Sequence, residues 1–196
     1  VTDNRGCTKT LTATVTEPAA LVLNTTAIPV SCFGGTNGGV NLTVSGGATP
    51  YQYNWGSITT QNLSNVPAGI YTVTVTDLNN CTASATATVT QPTAIVATAS
   101  ATPATCAGGN NGTATVSATG GTGAYTYVWS GGAGTNATAT NLAAGTYTVT
   151  VKDANDCTTT ATATVTQPIP VAISGTATPV SCNGGSNGSI QITVSA

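Results

Sequence analysis

Six cysteines are the residues of this chain best suited to covalent chemistry, and they recur at regular spacing. They occupy positions 7, 32, 81, 106, 157 and 182, which form two alternating classes. Within each class the spacing is 74 and then 76 residues, and between the classes it alternates between 25 and 49–51. Zinc clusters use closely spaced cysteines, often with histidine, and this 196-residue chain has no Cys-x-x-Cys pair and no histidine. The cysteines therefore predict disulfide bonds rather than a metal site.

The sequence leaves three disulfide pairings open, because pairing depends on the end of a repeat at which each class lies. If the strands of a repeat simply alternate in direction, both classes lie at one end and the pairs close within repeats, as Cys32–Cys81 and Cys106–Cys157. If the connection 56–70 crosses between sheets, the classes lie at opposite ends. Cys32 then faces Cys157 of the next repeat, since the Cα atoms of a disulfide must lie within about 7 Å of each other. A third pairing, Cys81–Cys106, requires the chain between them to fold back as a hairpin.

Acidic turns precede two of the cysteines. Asp77–Asn80 and Asp153–Asp156 carry the side-chain oxygens that Ca²⁺ prefers. Asp and Asn also close turns by accepting hydrogen bonds from nearby backbone N–H groups. We expect turn formation here, with calcium binding as the alternative. The sequence otherwise assigns no catalytic, cofactor-binding or metal-binding residue.

The composition excludes several classes of function. Only 8 of 196 residues are charged, 3 Lys+Arg and 5 Asp+Glu, whereas soluble domains carry about 25% charged residues. Three basic residues cannot neutralise a nucleic-acid backbone, and no apolar run reaches the roughly 18 residues of a membrane helix. We therefore predict no nucleic-acid partner, no membrane insertion of this segment and no cofactor. Without histidine as a general base, we also predict no enzymatic activity.

The cysteine spacing reflects an internal repeat of the whole chain. Self-similarity at a fixed period identifies a repeat architecture, and alternating Thr/Ala/Val runs end at Glu17-Pro18, Gln91-Pro92 and Gln167-Pro168. The predicted division is the end of a preceding repeat (1–18), two complete repeats (19–92 and 93–168) and the start of a following repeat (169–196). Because both ends fall inside a repeat, we expect the natural protein to continue in both directions.

The hydrophobic pattern predicts strands. In Tyr71–Thr76, Tyr and Val take one face and Thr the other, which is the period of a half-buried strand. Strands are predicted in the first complete repeat near 21–30, 39–45, 51–55, 59–64, 70–77 and 81–90. Short strands separated by Gly and Asn turns predict an all-β fold made of tandem Ig-like β-sandwich repeats of about 75 residues.

The aromatic residues are predicted to lie in the core. Alternation places three aromatics of each repeat on one face, Tyr51, Tyr53 and Trp55 in the first and Tyr125, Tyr127 and Trp129 in the second. We expect Trp55 and Trp129 to be buried equivalents at the bulky centre of each sandwich. Tyr71 and Tyr147 each follow a Gly at a strand start, and we expect a tyrosine corner, in which the hydroxyl bonds to nearby backbone.

The combined motifs resemble a known family. In the second complete repeat they are Cys106–Gly112, Gly120–Trp129, Leu142–Val151, Asp153–Cys157 and Thr166–Pro168. Together these motifs are similar to the SprB-type repeat of giant cell-surface adhesins in Bacteroidota, which are proteins associated with gliding motility and type IX secretion. The resemblance implies an extracellular, cell-surface location and an Ig-like tandem array, and it carries over no catalytic residue.

The function that we expect is structural and adhesive. Short linkers with Pro at 18–21, 92–95 and 168–171 predict ordered junctions and a stiff array, whose partners are the neighbouring repeats of the same chain. The alternative is a subunit of an assembled filament of identical chains, since low charge leaves little repulsion between them. A carbohydrate-binding module that takes a surface polysaccharide is a third hypothesis, which would require exposed aromatic residues.

Overall fold

The structure is a computed structural model that describes residues 1–195; Ala196, the last residue of the 169–196 segment, lies outside the described residues. Apart from one 3₁₀ turn, the regular secondary structure of residues 1–195 consists of antiparallel strands. The first complete repeat contains β1 (Val22–Ile28), β2 (Gly38–Ser45), β3 (Gln52–Asn54), β4 (Leu63–Val66), β5 (Gly69–Thr76) and β6 (Thr82–Val89). The strand predicted near 59–64 forms a few residues later, as β4.

The second complete repeat has the same order of strands. Its strands are β7 (Val96–Thr102), β8 (Gly112–Thr119), β9 (Thr126–Trp129), β10 (Thr138–Leu142), β11 (Gly145–Lys152) and β12 (Thr158–Val165). A single 3₁₀ turn at Ser130–Gly132 follows β9. Two further strands, β13 (Ala172–Thr178) and β14 (Ser189–Ser195), form an antiparallel hairpin.

Each complete repeat is a sandwich of two three-stranded sheets. In the first repeat the sheets have the orders β1-β2-β4 and β3-β5-β6, and in the second β7-β8-β10 and β9-β11-β12. The chain therefore leaves the β3-β5-β6 sheet after β3, pairs β4 with β2 in the other sheet, and returns to the β3-β5-β6 sheet at β5. This crossing between sheets and the antiparallel pairing confirm the all-β, Ig-like sandwich predicted from the sequence.

The crossing also separates the two cysteine classes. The residues that flank Cys32 bond to the C-terminal end of β6, because Val30 N–H donates to Thr90 O at 2.8 Å and Gly34 N–H donates to Gln91 Oε1 at 2.7 Å. Cys81, in contrast, directly precedes the N-terminal end of β6. A strand of eight residues spans about 26 Å, far more than a disulfide reaches. Pairing within a repeat is therefore sterically impossible.

The described chain groups into two compact units. The first consists of residues 1–30 and 34–91, and the second of residues 31–33 together with the chain from 92 onward. The loop residues Ser31–Phe33, which follow β1 in sequence, thus belong to the second unit. Before β1 the chain forms a turn held by the bridge between Thr2 and Thr8.

Valine, rather than tyrosine, forms the centre of each sandwich. In the first unit Val40, Val73 and Val75 are fully buried, and in the second Val149 and Val151 are. Four tyrosines are half-buried and lie at the margin of the core. Tyr53 and Tyr127 belong to β3 and β9, and Tyr51 and Tyr125 directly precede these strands. Two of their hydroxyls donate to the carbonyls of turn glycines, Tyr51 to Gly46 and Tyr125 to Gly120. The prediction of an aromatic centre was therefore wrong for the tyrosines, whose polar ends need a partner.

The two tryptophans are not buried equivalents. Trp129 is 2% exposed, whereas Trp55 is only half-buried. The second repeat has two more residues after its tryptophan, twelve in 130–141 against ten in 56–65, and Ala133 and Ala137 of this longer segment pack against the core that holds Trp129. The expectation of equal burial was wrong because a loop of different length covers each ring.

The tyrosine corner is confirmed in both repeats. The hydroxyl of Tyr71 donates to Pro67 O at 2.9 Å, and that of Tyr147 donates to Ala143 O at 3.1 Å. Each bond spans four residues and fixes the turn that leads into β5 or β11. The corner therefore anchors the return of the chain from one sheet to the other.

Candidate functional site

The site begins with a turn that presents a cysteine. Asp77 N–H donates to Cys81 O at 3.0 Å, and Asp77 Oδ1 accepts the N–H groups of Asn79 and Cys81 at 2.9 and 2.8 Å. The same turn is formed by Asp153 with Asn155 and Cys157, and by Asp3 with Arg5 and Cys7. The carboxylate thus holds the backbone of the cysteine in one fixed conformation, as the turn interpretation predicts.

The second carboxylate oxygen joins this turn to the loop before β3 or β9. Oδ2 of Asp77 accepts the N–H of Ala48 at 2.9 Å, and Oδ2 of Asp153 accepts that of Thr122 at 2.9 Å. Both Asp side chains are buried, at 5% and 4% exposure. Across residues 1–195, the structure shows no group of three or more His, Cys, Asp or Glu side chains placed to hold a metal ion. Backbone N–H groups thus donate to both carboxylate oxygens of Asp77 and of Asp153.

These donors keep the pKa of both carboxyls below the ordinary value of 3.8. For Asp77 the largest contribution is the N–H of Ala48, which lowers the pKa against the opposing effect of burial. For Asp153 burial acts most strongly and raises the pKa, but the N–H groups of Thr122, Cys157 and Asn155 together outweigh it. The ionised carboxylates therefore stabilise the folded state.

We expect acid to destabilise the fold through these two groups. Because their folded-state pKa is depressed, their contribution is complete above the unfolded pKa near 3.8, and it is lost as the pH falls through 3.8 toward the folded value. The melting temperature of the second unit, followed by Trp129 fluorescence in a Trp55→Phe background, should fall across this range. Asp153→Asn should flatten that fall because the amide does not titrate. Asp156→Asn, at an exposed side chain, serves as the control, and equal slopes in both variants would contradict the prediction.

A second loop presents the other cysteine class. It has the sequence Ser/Thr-Cys-x-Gly-Gly in all three copies, Ser31–Gly35, Thr105–Gly109 and Ser181–Gly185. In the first two copies a Gln side chain from the end of the same repeat fixes the loop: Gln91 Oε1 accepts Gly34 N–H, and Gln167 Oε1 accepts Gly108 N–H at 2.8 Å. Sequence reasoning treated these glutamines only as boundary markers. Their recurrence directly before Pro was the signal that could have found this role.

The two elements meet in a disulfide between Cys32 and Cys157. Their Cα atoms lie 5.6 Å apart, and 125 residues separate them in the sequence. The side-chain amide of Asn155 donates to Ser31 O at 3.1 Å, so the turn also recognises the backbone of the loop. Of the three pairings that the sequence left open, the structure forms the one between successive repeats. The remaining cysteines, which are exposed and not disulfide-bonded, are Cys7, Cys81, Cys106 and Cys182.

A cavity of about 390 Å³ lies beside this disulfide. Its lining includes Phe33 beside Cys32, Pro92 and Ile95 from the segment before β7, and Gly121 from the loop after β8. A smaller cavity of about 310 Å³ lies beside Cys81 and is lined by residues of the first unit. Within residues 1–195, none of the helical segments is long and apolar enough to cross a membrane.

Three of the solved structures that are similar to this chain have between 13% and 16% sequence identity to it. A structure on Dscam isoform specificity has 13% identity and a TM-score of 0.32, covering 76% of this chain and 46% of that chain. The intimin fragment in complex with the Tir intimin-binding domain has 16% identity, a TM-score of 0.33 and coverages of 82% and 67%. Domains 4 and 5 of the S-layer protein SbsC have 16% identity, a TM-score of 0.31 and coverages of 77% and 100%. Scores this low support no conclusion about function, and the chain spans less than half the length of the Dscam structure.

The sequence comparisons are more specific. No curated protein sequence shows significant similarity to the chain. The family description "SprB repeat" matches residues 24–60, 98–134 and 174–196. Each match begins within the first strand of a repeat and includes the Ser/Thr-Cys-x-Gly-Gly loop. The chain is therefore a SprB-type repeat protein.

Proposed function

We propose that this chain is a segment of a non-enzymatic, extracellular array of repeats, part of a giant cell-surface adhesin of the gliding-motility type or of its stalk. The observation that carries the proposal is the disulfide between Cys32 of residues 19–92 and Cys157 of residues 93–168. A covalent bond between a residue of one repeat and a residue of the next resists the separation of the two repeats under tension. Disulfides persist in oxidising surroundings, which supports a location outside the cytoplasm.

The division into 1–18, 19–92, 93–168 and 169–196 is part of this proposal. The hairpin β13–β14 supports it, because its exposed apolar residues occupy positions that are covered in the second complete repeat. Ile190 and Ile192 are 77% and 65% exposed, whereas the corresponding Ala114 and Val116 of β8 are buried. Residues 169–195 thus carry the core-facing pattern of the first half of a repeat, with the opposite sheet still to be added.

The ordered linkers support a stiff array over a flexible one. In the first unit Gly47 N–H donates to Ala19 O at 2.6 Å, and in the second Gly121 N–H donates to Thr93 O at 3.0 Å. Each bond ties the residues directly after Pro to the loop that follows β2 or β8. The short linker is thereby part of the repeat that it enters, and a flexible coil description does not apply to it.

Small-angle scattering tests this proposal on chains lengthened by tandem copies of residues 93–168. We expect the maximum dimension to grow in proportion to the number of repeats, by at least ~26 Å each, the length of an eight-residue strand. The same chains with serine at every cysteine measure how much of the stiffness comes from the disulfides. Growth with the square root of repeat number would mean flexibly joined beads and would overturn the stiff array.

A further inference from the structure

We propose that the surface around Cys81 is a docking site for the Ser/Thr-Cys-x-Gly-Gly loop of another SprB-type repeat, and that docking ends in a disulfide to Cys81. The loop comes from the repeat that precedes residues 19–92 in the same polypeptide, the one whose last residues are 1–18. This inference rests on the proposed division of the chain into repeats, in which residues 1–18 end a preceding repeat. Its test, the transfer of a loop peptide to Cys81, does not depend on the stiffness of the array.

The second unit contains an occupied copy of this site. There the loop residue Cys32 is bonded to Cys157, and Ser31 O accepts a hydrogen bond from the side chain of Asn155. The adjoining cavity is lined by Pro92 and Ile95. The occupied copy identifies the two groups that the loop supplies. Its backbone carbonyl accepts a hydrogen bond from the Asn side-chain amide, and its cysteine sulfur bonds to the cysteine of the turn.

The first unit contains the same site without a loop in it. Cys81 and Asn79 stand in the same Asp-centred turn as Cys157 and Asn155. The adjoining cavity of about 310 Å³ is lined by Pro18, Leu21 and Gly47, among others. These three correspond in sequence to Pro92, Ile95 and Gly121 of the occupied site. The first unit therefore presents linker, loop and turn residues that correspond to those of the occupied site.

The free loops are ordered by hydrogen bonds of their own. Gly109 N–H donates to Cys106 O at 3.0 Å, and Gly185 N–H donates to Cys182 O at 3.0 Å. The preceding residue is fixed as well, because an Asn side chain accepts the N–H of Thr105 in one loop and of Ser181 in the other, both at 3.0 Å. A loop that is already ordered loses little conformational entropy when it binds.

The observed pair sets the direction of docking. The loop of residues 19–92 is bonded to the turn of the repeat that follows it in sequence. By the same rule Cys106 is the ligand for the turn of a later repeat, and Cys81 is the acceptor for the loop of an earlier one. Neither Cys106 nor Cys182 lies in an earlier repeat, which accounts for Cys81 being unpaired in this chain.

Formation of this disulfide requires an oxidant. We assign that role to an existing disulfide, either in a small molecule or in another protein. The thiolate of Cys81, having lost its proton to solvent, attacks the sulfur of a mixed disulfide on the loop cysteine. The new S–S bond forms as the old one breaks, and the leaving thiolate takes the electron pair and then a proton. The two cysteines are thereby oxidised, and the original disulfide is reduced to two thiols.

The test uses the 196-residue chain and a peptide of residues 29–36, Pro-Val-Ser-Cys-Phe-Gly-Gly-Thr, as its mixed disulfide with glutathione. Oxidised glutathione alone serves as the reference reagent. Peptide transfer to each cysteine is measured by mass spectrometry of proteolytic fragments. Cys7 is the internal control, because it lies in the same Asp turn without the residues that line the cavity beside Cys81. For each reagent, the ratio of the labelling rate at Cys81 to that at Cys7 is calculated. We expect this ratio to be about tenfold higher with the peptide than with oxidised glutathione, the factor given by roughly 1.4 kcal/mol of recognition.

Two further measurements decide the proposal. Asn79→Ala, at an exposed side chain, should slow labelling of Cys81 about three- to tenfold, the worth of one hydrogen bond, and leave Cys7 unchanged. Equal relative rates at Cys7 and Cys81 would overturn the docking site. In the natural protein, disulfide mapping should link Cys81 to the repeat that ends with residues 1–18 without adding mass on a non-reducing gel. Disulfide-linked multimers through Cys81 would assign the loop to a separate chain and overturn the same-chain source.

Discussion

Breaking the Cys32–Cys157 disulfide should lower the free energy of unfolding by about 4–5 kcal/mol when the two repeats unfold together. A cross-link over 125 residues restricts the unfolded chain strongly, and a loop of about 100 residues already corresponds to roughly 4.7 kcal/mol. The bond also holds Ser31–Phe33 in the second unit, where Ser31 O accepts the amide of Asn155. Guanidinium unfolding of the oxidised chain and of Cys32→Ser, followed by circular dichroism, measures the difference.

Cys81→Ser is the matched control for this experiment. Cys81 lies in the same turn as Cys157 but is exposed and not disulfide-bonded, so its replacement should change stability by less than about 0.5 kcal/mol. Adding a reductant to the unmutated chain should reproduce the result of Cys32→Ser. If the oxidised chain and Cys32→Ser unfold at the same denaturant concentration, the disulfide does not restrict the unfolded state as argued.

Replacing Trp129 by Ala should cost about 3–5 kcal/mol, because it removes a large buried side chain and leaves a cavity. The ring is 2% exposed, belongs to the core of the second unit with Val149 and Val151, and donates its indole N–H to Asn136 O at 3.0 Å. Chemical unfolding followed by circular dichroism gives the free-energy difference.

Trp55→Ala is the comparison that tests the reason for this effect. Trp55 donates its indole N–H to Thr60 O at 3.0 Å, the counterpart of the bond that Trp129 makes, but its ring is only half-buried. The hydrogen bond is therefore matched and the burial differs, so Trp55→Ala should cost clearly less. Equal losses in the two variants would show that burial does not set the cost at this position.

Much of the fold could be predicted from local pattern. The alternation in Tyr71–Thr76 indicated both a strand and its buried face, and β5 has Val73 and Val75 buried as that alternation requires. Because alternation is a property of neighbouring residues, it can be recognised in the sequence without knowledge of tertiary contacts. The tyrosine corner at Tyr71 and the Asp turn before Cys81 were predictable for the same reason, since each bond spans at most four residues.

The candidate site depended on a contact that local pattern does not encode. Whether Cys32 could reach Cys81 or Cys157 turned on the sheet that β4 joins. In β4 only the first and last residues are buried, so the strand carries no alternation that would mark its sheet. The receiving site at Cys157 also combines residues from the linker, the loop after β8 and the turn before β12, which are distant in sequence.

The repeat period, the all-β class, the faces of the regular strands and the two cysteine classes could be predicted from the sequence. Each of them follows from short-range periodicity or from comparison of one repeat with the next. The pairing of Cys32 with Cys157 and the unequal burial of Trp55 and Trp129 became apparent only in the folded structure. Pairing depends on which ends of the sandwiches meet, and burial depends on the loop that covers each ring. Both are long-range packing outcomes, in which a crossing between sheets or two added residues change the result while the local pattern stays the same.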